Sequence, residues 1–406
     1  MNVVLNPLYL GVVAALLPIY WLLLSHPGKR LLLITAASTA ALYYIEPYFI
    51  LWLAGMAYSA AVLSRLHWLG RIGAFGTGLI IVLSGIAVLG VCKYGVVVLG
   101  HFFDHTNWIE RYLIVPLGIS YFALRLVGYV FEQLRGRIAE TSGWKLYAYF
   151  TFFPLIPAGP LETYSGFYSK REPDFDRHLF NLSARRICRG YFKKLVVLEL
   201  LLNQAFSTWD AIFLDPAASL ADVHPLAPWG FAIASFLRAY IDISAYTDIA
   251  IGVAGLFGFR IVEDLNNPVF KPNLAAFWQS WHISVMNWCR DNVYFPIFGA
   301  TRVVPAGLFA SLSVMGLWHY VNLNWFVWGI YQATGLTTLH YWNRYKLSHK
   351  QLRKRLNSPQ YKPLGYIATF LFASLAFTIM APYPFTRAVE VFSACLFGPA
   401  RWILGS

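Results

Sequence analysis

Long apolar stretches recur along this 406-residue chain, and most end at a short loop carrying lysine or arginine. Backbone N–H and C=O groups cannot be left unpaired in hydrocarbon, so such stretches cross a bilayer only as helices or as a closed barrel. They lie near residues 7–24, 31–45, 47–64, 73–103, 113–131, 146–160, 191–208, 226–258, 303–320, 325–342, 364–381 and 386–404. A helical span needs about 20 residues. The pattern predicts an all-α polytopic membrane protein with about eleven transmembrane helices plus re-entrant and interfacial helices. Composition agrees: 13% of residues are charged and 58% hydrophobic, against about 25% charged in soluble domains. No repeat, low-complexity tract or linker divides the chain, so residues 1–406 read as a single membrane domain.

The formal net charge of +13 raises the question of a nucleic-acid partner. Its distribution argues against one, because the cations cluster in loops between apolar runs: Lys29/Arg30, Arg65/Arg71, Arg135/Arg137, Lys170 to Lys194 and Arg344 to Lys362. The alternate turns are acidic or neutral: Glu46-Pro47, Asp104 to Glu110 and Asp210 to Asp222. This asymmetry predicts an N-terminus outside and basic loops in the cytoplasm, in contact with lipid headgroups. The first run, Leu8 to Leu24, ends at a basic flank and reads as a first span rather than a cleavable leader. Cys92, Cys188, Cys289 and Cys395 are widely spaced, so neither a zinc site nor a disulfide framework is expected.

Four segments break the spanning pattern and hold the candidate chemistry. The segment 152–164, FFPLIPAGPLETY, carries Pro154, Pro157, Gly159 and Pro160, which predicts irregular backbone covered by protein or lining a cavity. The segment 277–291, FWQSWHISVMNWCRD, packs Trp278, Trp281, Trp288, His282, Arg290 and Asp291 together. The spacing of Phe277, Trp281, Val285 and Trp288 predicts an amphipathic helix after Asn273, lying at the membrane interface. His282 falls at the edge of its apolar face, as a site residue or a packing histidine. His319 lies in MGLWHY, with no charged residue between Arg302 and Arg344. An ionisable group in such a run is a functional-site candidate, and a desolvated neutral imidazole can accept a proton from an alcohol; hydrogen bonding to a neighbouring helix is the competing reading. Finally, Asp242 and Tyr246 share a helix face in YIDISAYTD, to line a polar path, orient a histidine or bond another helix. No GxSxG elbow, P-loop or HExxH occurs.

Five blocks, VPLGISYFAL, FFPLIPAGPLETYSGF, DISAYTDIAIGVAGLFGF, FWQSWHISVMNWCRDNVYFPIFG and MGLWH, occur in an order that resembles the membrane-bound O-acyltransferase family. The resemblance is to its bacterial branch, which modifies alginate by O-acetylation or teichoic acid by D-alanyl transfer. It implies a ring of tilted helices around a central tunnel, in the plasma (inner) membrane of a bacterium. It also implies His319 as catalytic base and His282 as the second signature histidine. Gln279-Ser280 stand where branch members carry two arginines, and Tyr320 stands where they carry glycine.

The expected function is an O-acyltransferase moving an acyl group, first of all acetyl, from a cytoplasmic thioester to a hydroxyl. The acceptor is an extracellular polysaccharide or a periplasmic partner transferase. Acetyl-CoA is the expected donor, with an acyl-phosphopantetheine carrier protein as the alternative; no bound cofactor or metal is expected. Asp242, Tyr246, Trp281, Arg290 and Asn322 are the expected substrate-binding residues beside the two histidines. D-alanyl transfer to teichoic acid is the second reading, and a proton-coupled transporter or channel is the rival from another class. The two related halves common in transporters are missing from the sequence.

Overall fold

The computed structural model describes residues 5–45, 119–138, 142–156, 159–172, 174–221, 223–356 and 358–404. The expected spans near 47–64 and 73–103, Cys92, the Arg65/Arg71 and Asp104 to Glu110 loops and the start of the VPLGISYFAL block lie outside the described residues. Among the described residues the structure is helical, with one isolated antiparallel bridge between Arg171 and Phe259. Two compact units are formed: Met1–Cys188 with Thr247–Val262, and Arg189–Tyr246 with Glu263–Ser406.

In the first unit, α1 (Pro7–Pro18) starts at Asn6, whose side chain accepts from the Leu8 N–H, and continues as a π-turn to Leu23. α2 (Pro27–Ile45) carries the basic pair Lys29/Arg30 in its first turn. α3 (Ile119–Leu134), α4 (Gly143–Thr151) and α5 (Tyr164–Ser169) surround the proline-rich segment. Its described residues before α5 are irregular apart from a single 3-10 turn at Phe153–Leu155, and all of them but Thr163 are buried. Broken backbone at this site is tolerated because protein covers it. Glu132 of α3 accepts from the Tyr164 and Ser165 N–H groups at 2.9 and 3.3 Å, and so caps α5. Glu162 accepts from the Thr163 and Val262 amides at 3.2 and 3.0 Å.

α6 (Arg177–Tyr191) runs on as a π-helix over Phe192–Leu202. α7 (Ala227–Leu256) is one uninterrupted 30-residue helix, the element that corresponds to the long 226–258 run. Within the first unit, Gly252 lies where a β-carbon would meet Ile187 Cγ1 at 2.6 Å and the Ser183 carbonyl oxygen at 2.9 Å. α6 and α7 therefore approach closely over small residues, and Arg186 pairs there with Asp248 at 2.9 Å. The C-terminal carbonyls of α7 are satisfied by Trp21, which donates to Leu256 O, and by Tyr20, which donates to Phe257 O, both at 2.8 Å.

The second unit contains the signature segments. It follows the order α8 (Leu274–Trp278), α9 (Ile283–Cys289), α10 (Phe295–Thr301), α11 (Val304–His319), α12 (Leu323–Ser348), α13 (Lys362–Leu375) and α14 (Phe385–Leu404). α11 and α12 form a hairpin of helices packed along their length. Gly316 faces the Trp325 carbonyl, and a β-carbon on Gly329 would meet the Leu312 carbonyl oxygen at 2.6 Å. Asn322 caps α12 by accepting from the Trp325 N–H at 2.9 Å.

Among the described residues, one helical stretch, Pro359–Met380, is long and apolar enough to cross a membrane by itself. Arg177–Ala205 with Ser207–Phe213 passes the same test as a pair bent by 54°, and Pro7–Leu23 and Val304–His319 are shorter apolar helices. Large apolar side chains face outward, with Leu22 81% and Phe270 71% exposed, which suits contact with lipid. The expected interfacial helix over 274–291 is corrected: the chain breaks at Gln279–His282 into two short helices. Phe277, Trp278, Trp281, His282, Val285 and Cys289 are buried rather than laid at an interface.

The helix hairpin generates the first prediction. Gly329→Ala forces a methyl against the Leu312 carbonyl and should destabilise the protein by about 1–3 kcal/mol. The measurement is denaturation in detergent, with Gly299→Ala, where nothing lies within 4 Å of the added carbon, as the unperturbed control.

Candidate active site

The residues around His282 are placed by the backbone before any side chain is considered. Asn273 caps α8 through the Ala276 N–H at 2.9 Å, and the helix ends after one and a half turns. His282 then adopts a left-handed conformation, φ 48°, uncommon for a residue with a β-carbon. The turn is held by the loop before it: Asn266 N–H donates to Ser280 O, and Ile283 N–H donates to Asp264 O, each at 2.8 Å. This double zipper sets the direction of the imidazole.

Asp264 provides the side-chain contact. Its Oδ1 accepts from the Ser284 N–H at 2.9 Å and the Ser284 hydroxyl at 2.5 Å. Its Oδ2 lies 2.7 Å from His282 Nδ1. The ring N–H does not point straight at that oxygen, so the attraction is chiefly electrostatic. Both side chains are buried, at 3% and 6% exposure. Asp264 belongs to a loop, and burial pushes its carboxyl up. The His282 ring and the hydrogen bonds from Ser284 outweigh burial and hold it below the usual carboxylate range.

His319 ends α11 and lies 6.0 Å from His282, centroid to centroid. It stacks on the Trp325 ring at 4.7 Å with a 24° tilt and meets Trp318 at 4.5 Å. Both histidines line one cavity of about 70 Å³, together with Trp278, Trp281, Trp325 and Gln332. Gln332 accepts from the Trp278 indole at 3.3 Å. The sequence-separated WHIS and GLWH blocks therefore meet at one chamber.

The other expected site residues divide. Trp281 is buried, lines the cavity and stacks on Phe277 at 5.6 Å. Asp242 Oδ1 accepts from Lys194 at 2.8 Å, and the Lys194 ammonium also sits 5.2 Å from the Tyr246 ring centre. The shared face of Asp242 and Tyr246 thus serves a lysine cluster, which Glu199 completes at 2.9 Å. Arg290 is exposed and donates to Asp291 at 2.8 Å. Asn322 is the cap of α12. Asp264 was not singled out from sequence: it sits in a polar turn, VEDLNNP, eighteen residues before His282. Nothing local in that turn signals a long-range partner.

A test separates capping from substrate contact at Asn322. Asn322→Ala should lower the unfolding free energy by about 1 kcal/mol, and Asn322→Ser should recover most of it. Thermal denaturation of the three proteins measures this.

The membrane-bound O-acyltransferase family model matches residues 117–381. Among curated proteins, the "probable alginate O-acetylase" of Azotobacter vinelandii is 27% identical, over 85% of this chain and 69% of that protein. The peptidoglycan O-acetyltransferase of Helicobacter pylori is 26% identical, over 76% of this chain and 62% of that protein. The teichoic acid D-alanyltransferase of Bacillus subtilis is 26% identical, over 67% of this chain and 70% of that protein. The chain thus spans about two thirds of the length of these relatives.

Proposed function

The chain belongs to the membrane-bound O-acyltransferase family and is an acyltransferase, and on that premise we propose that it transfers a short acyl group, first of all acetyl, from a thioester to a hydroxyl of a cell-envelope polymer or of a partner transferase. The observation that carries this reading is the convergence of His282 and His319 on one small cavity. A space of about 70 Å³ suits an acyl group of a few heavy atoms better than a long chain.

In the proposed reaction His319 takes the proton of the acceptor hydroxyl while the oxygen attacks the thioester carbonyl. The C–S bond breaks as the tetrahedral intermediate collapses, and the imidazolium returns its proton to the departing thiolate. The products are an ester and a free thiol. Two features favour the positive charge that develops on His319 in the transition state: the carbonyl end of α11 and the face of Trp325. Such differential stabilisation raises the rate of the chemical step. Trp281 forms part of the apolar wall, and Asp242, Tyr246, Arg290 and Asn322 act around the chamber rather than in it.

The donor is proposed to be acetyl-CoA, arriving from the cytoplasmic side where the basic loops favour an anionic molecule. The orientation is the one predicted from charge, with the N-terminus outside the plasma membrane. The relationship to a teichoic acid D-alanyltransferase supports a second reading, in which a carrier-bound D-alanyl thioester is the donor.

Membranes holding the overproduced protein should incorporate label from acetyl-labelled CoA into envelope polymer, and His319→Ala should lower that rate by about 10²–10⁴-fold. Label incorporated from a D-alanyl carrier instead would select the second donor. Undiminished transfer by His319→Ala would remove this residue as the base.

A further inference from the structure

Asp264 is buried, ionised and engaged on both oxygens, yet the reaction above gives it no part. The structural role it fills does not require a charge. Its Oδ1 satisfies the Ser284 N–H at the start of α9, and asparagine or serine caps helix starts as well as aspartate does. Burying a carboxylate is costly unless a partner compensates it. The compensating group here is the imidazole of His282, 2.7 Å from Oδ2.

The arrangement around the pair is over-determined. Ser284 holds Oδ1 by two hydrogen bonds, which turns Oδ2 toward the ring. The Asp264 carbonyl takes the Ile283 N–H, which fixes the distance between loop and turn. His282 itself sits in a left-handed conformation, which is unfavourable for a residue with a β-carbon. Conformations of this kind persist where the surroundings impose them. The titratable groups facing His282 are Asp264 from the loop and His319 from α11; α12 presents Trp325, Trp328 and Gln332 to the same chamber.

We propose that Asp264 is a positioning residue that keeps the proton of His282 on Nδ1, leaving Nε2 on the opposite edge of the ring as a hydrogen-bond acceptor for a donor group of the bound substrate. The inference rests on the acyltransfer reading for its kinetic consequence but not for its structural one. An ionised carboxylate accepts hydrogen bonds and cannot donate them, so it selects the Nδ1–H form. His282 then presents a lone pair to the chamber that accepts from a neighbouring N–H or O–H of the bound substrate, while His319, 6.0 Å away, removes the single proton of the attacking hydroxyl. The assignment excludes His282 as a donor to the carbonyl oxygen of the thioester.

Asp264→Asn tests this because it preserves the cap. The amide oxygen would accept from Ser284, and the amide NH₂ would face Nδ1, which forces the proton to Nε2. The first measurement is nitrogen NMR of the ¹⁵N-histidine-labelled full chain, with the His282 signals assigned by their loss in His282→Gln. The expected result is protonated Nδ1 in the parent and protonated Nε2 in Asp264→Asn. The same tautomer in both proteins, or a parent ring protonated on both nitrogens, overturns the proposal.

The second measurement is acetyl transfer from labelled acetyl-CoA. Asp264→Asn should lower kcat about tenfold or more with KM within twofold of the parent, and should cause no further loss in the His282→Gln background. An unchanged kcat, or a loss that multiplies in that background, overturns the proposal. A parent that transfers from neither acetyl-CoA nor a D-alanyl carrier defeats the acyltransfer reading, while the tautomer measurement still decides the role of Asp264.

Discussion

The close approach of α11 and α12 over glycine is the constraint on which the geometry of the candidate site depends. Helices that meet in an apolar surrounding gain little from hydrophobic burial against each other, and backbone proximity replaces it. Gly316 and Gly329 admit the facing carbonyls of Trp325 and Leu312 to positions that any side chain would occupy. Because α11 ends at His319 and α12 begins at Leu323, the tight hairpin seats the imidazole on Trp325. Asn322 fixes the corner by capping, and Asn324 ties it to the segment after α13 through Ile379 O and Pro382 O at 2.9 and 2.8 Å.

The second principle is that the buried charged side chains among the described residues are given specific partners. Lys194 is surrounded by Asp242, Glu199 and the Tyr246 ring. Arg387, 3% exposed, donates to Ile212 O and Glu390. Asp264 divides its two oxygens between Ser284 and His282. A low local dielectric strengthens satisfied networks and penalises incomplete ones. The consequence for function is rigidity: the turn that carries His282 and the helix corner that follows His319 are each tied by hydrogen bonds, which is what a preorganised site requires.

Much of this was legible in the sequence. The apolar runs at 7–24, 303–320, 325–342 and 386–404 became α1 with its π-turn, α11, α12 and α14 within a few residues at most ends. The proline-rich stretch read correctly as broken backbone at its described residues, 152–156 and 159–160, because proline cannot continue a helix and protein must then cover the exposed amides. His319 stood out for its lack of charged neighbours. The helix reading of 274–291 did not hold, since periodicity registers which side chains are apolar and not whether the chain turns between them. With Phe277, Trp278, Trp281 and Val285 all buried on two separate short helices, the spacing of tryptophans carried no information about a continuous face.

The sequence by itself determined the helical, apolar class of the protein from its composition, the family from five blocks in order, and the two candidate histidines from their local setting. The tertiary structure decided which polar groups meet. It assigned Asp242 and Tyr246 to Lys194, Arg290 to Asp291 and Asn322 to a helix cap, and it brought the unremarked Asp264 to His282. Pairing of this kind depends on backbone conformation at single residues, such as the left-handed turn at His282. That turn is imposed by hydrogen bonds from a loop eighteen residues away, and no local pattern encodes them.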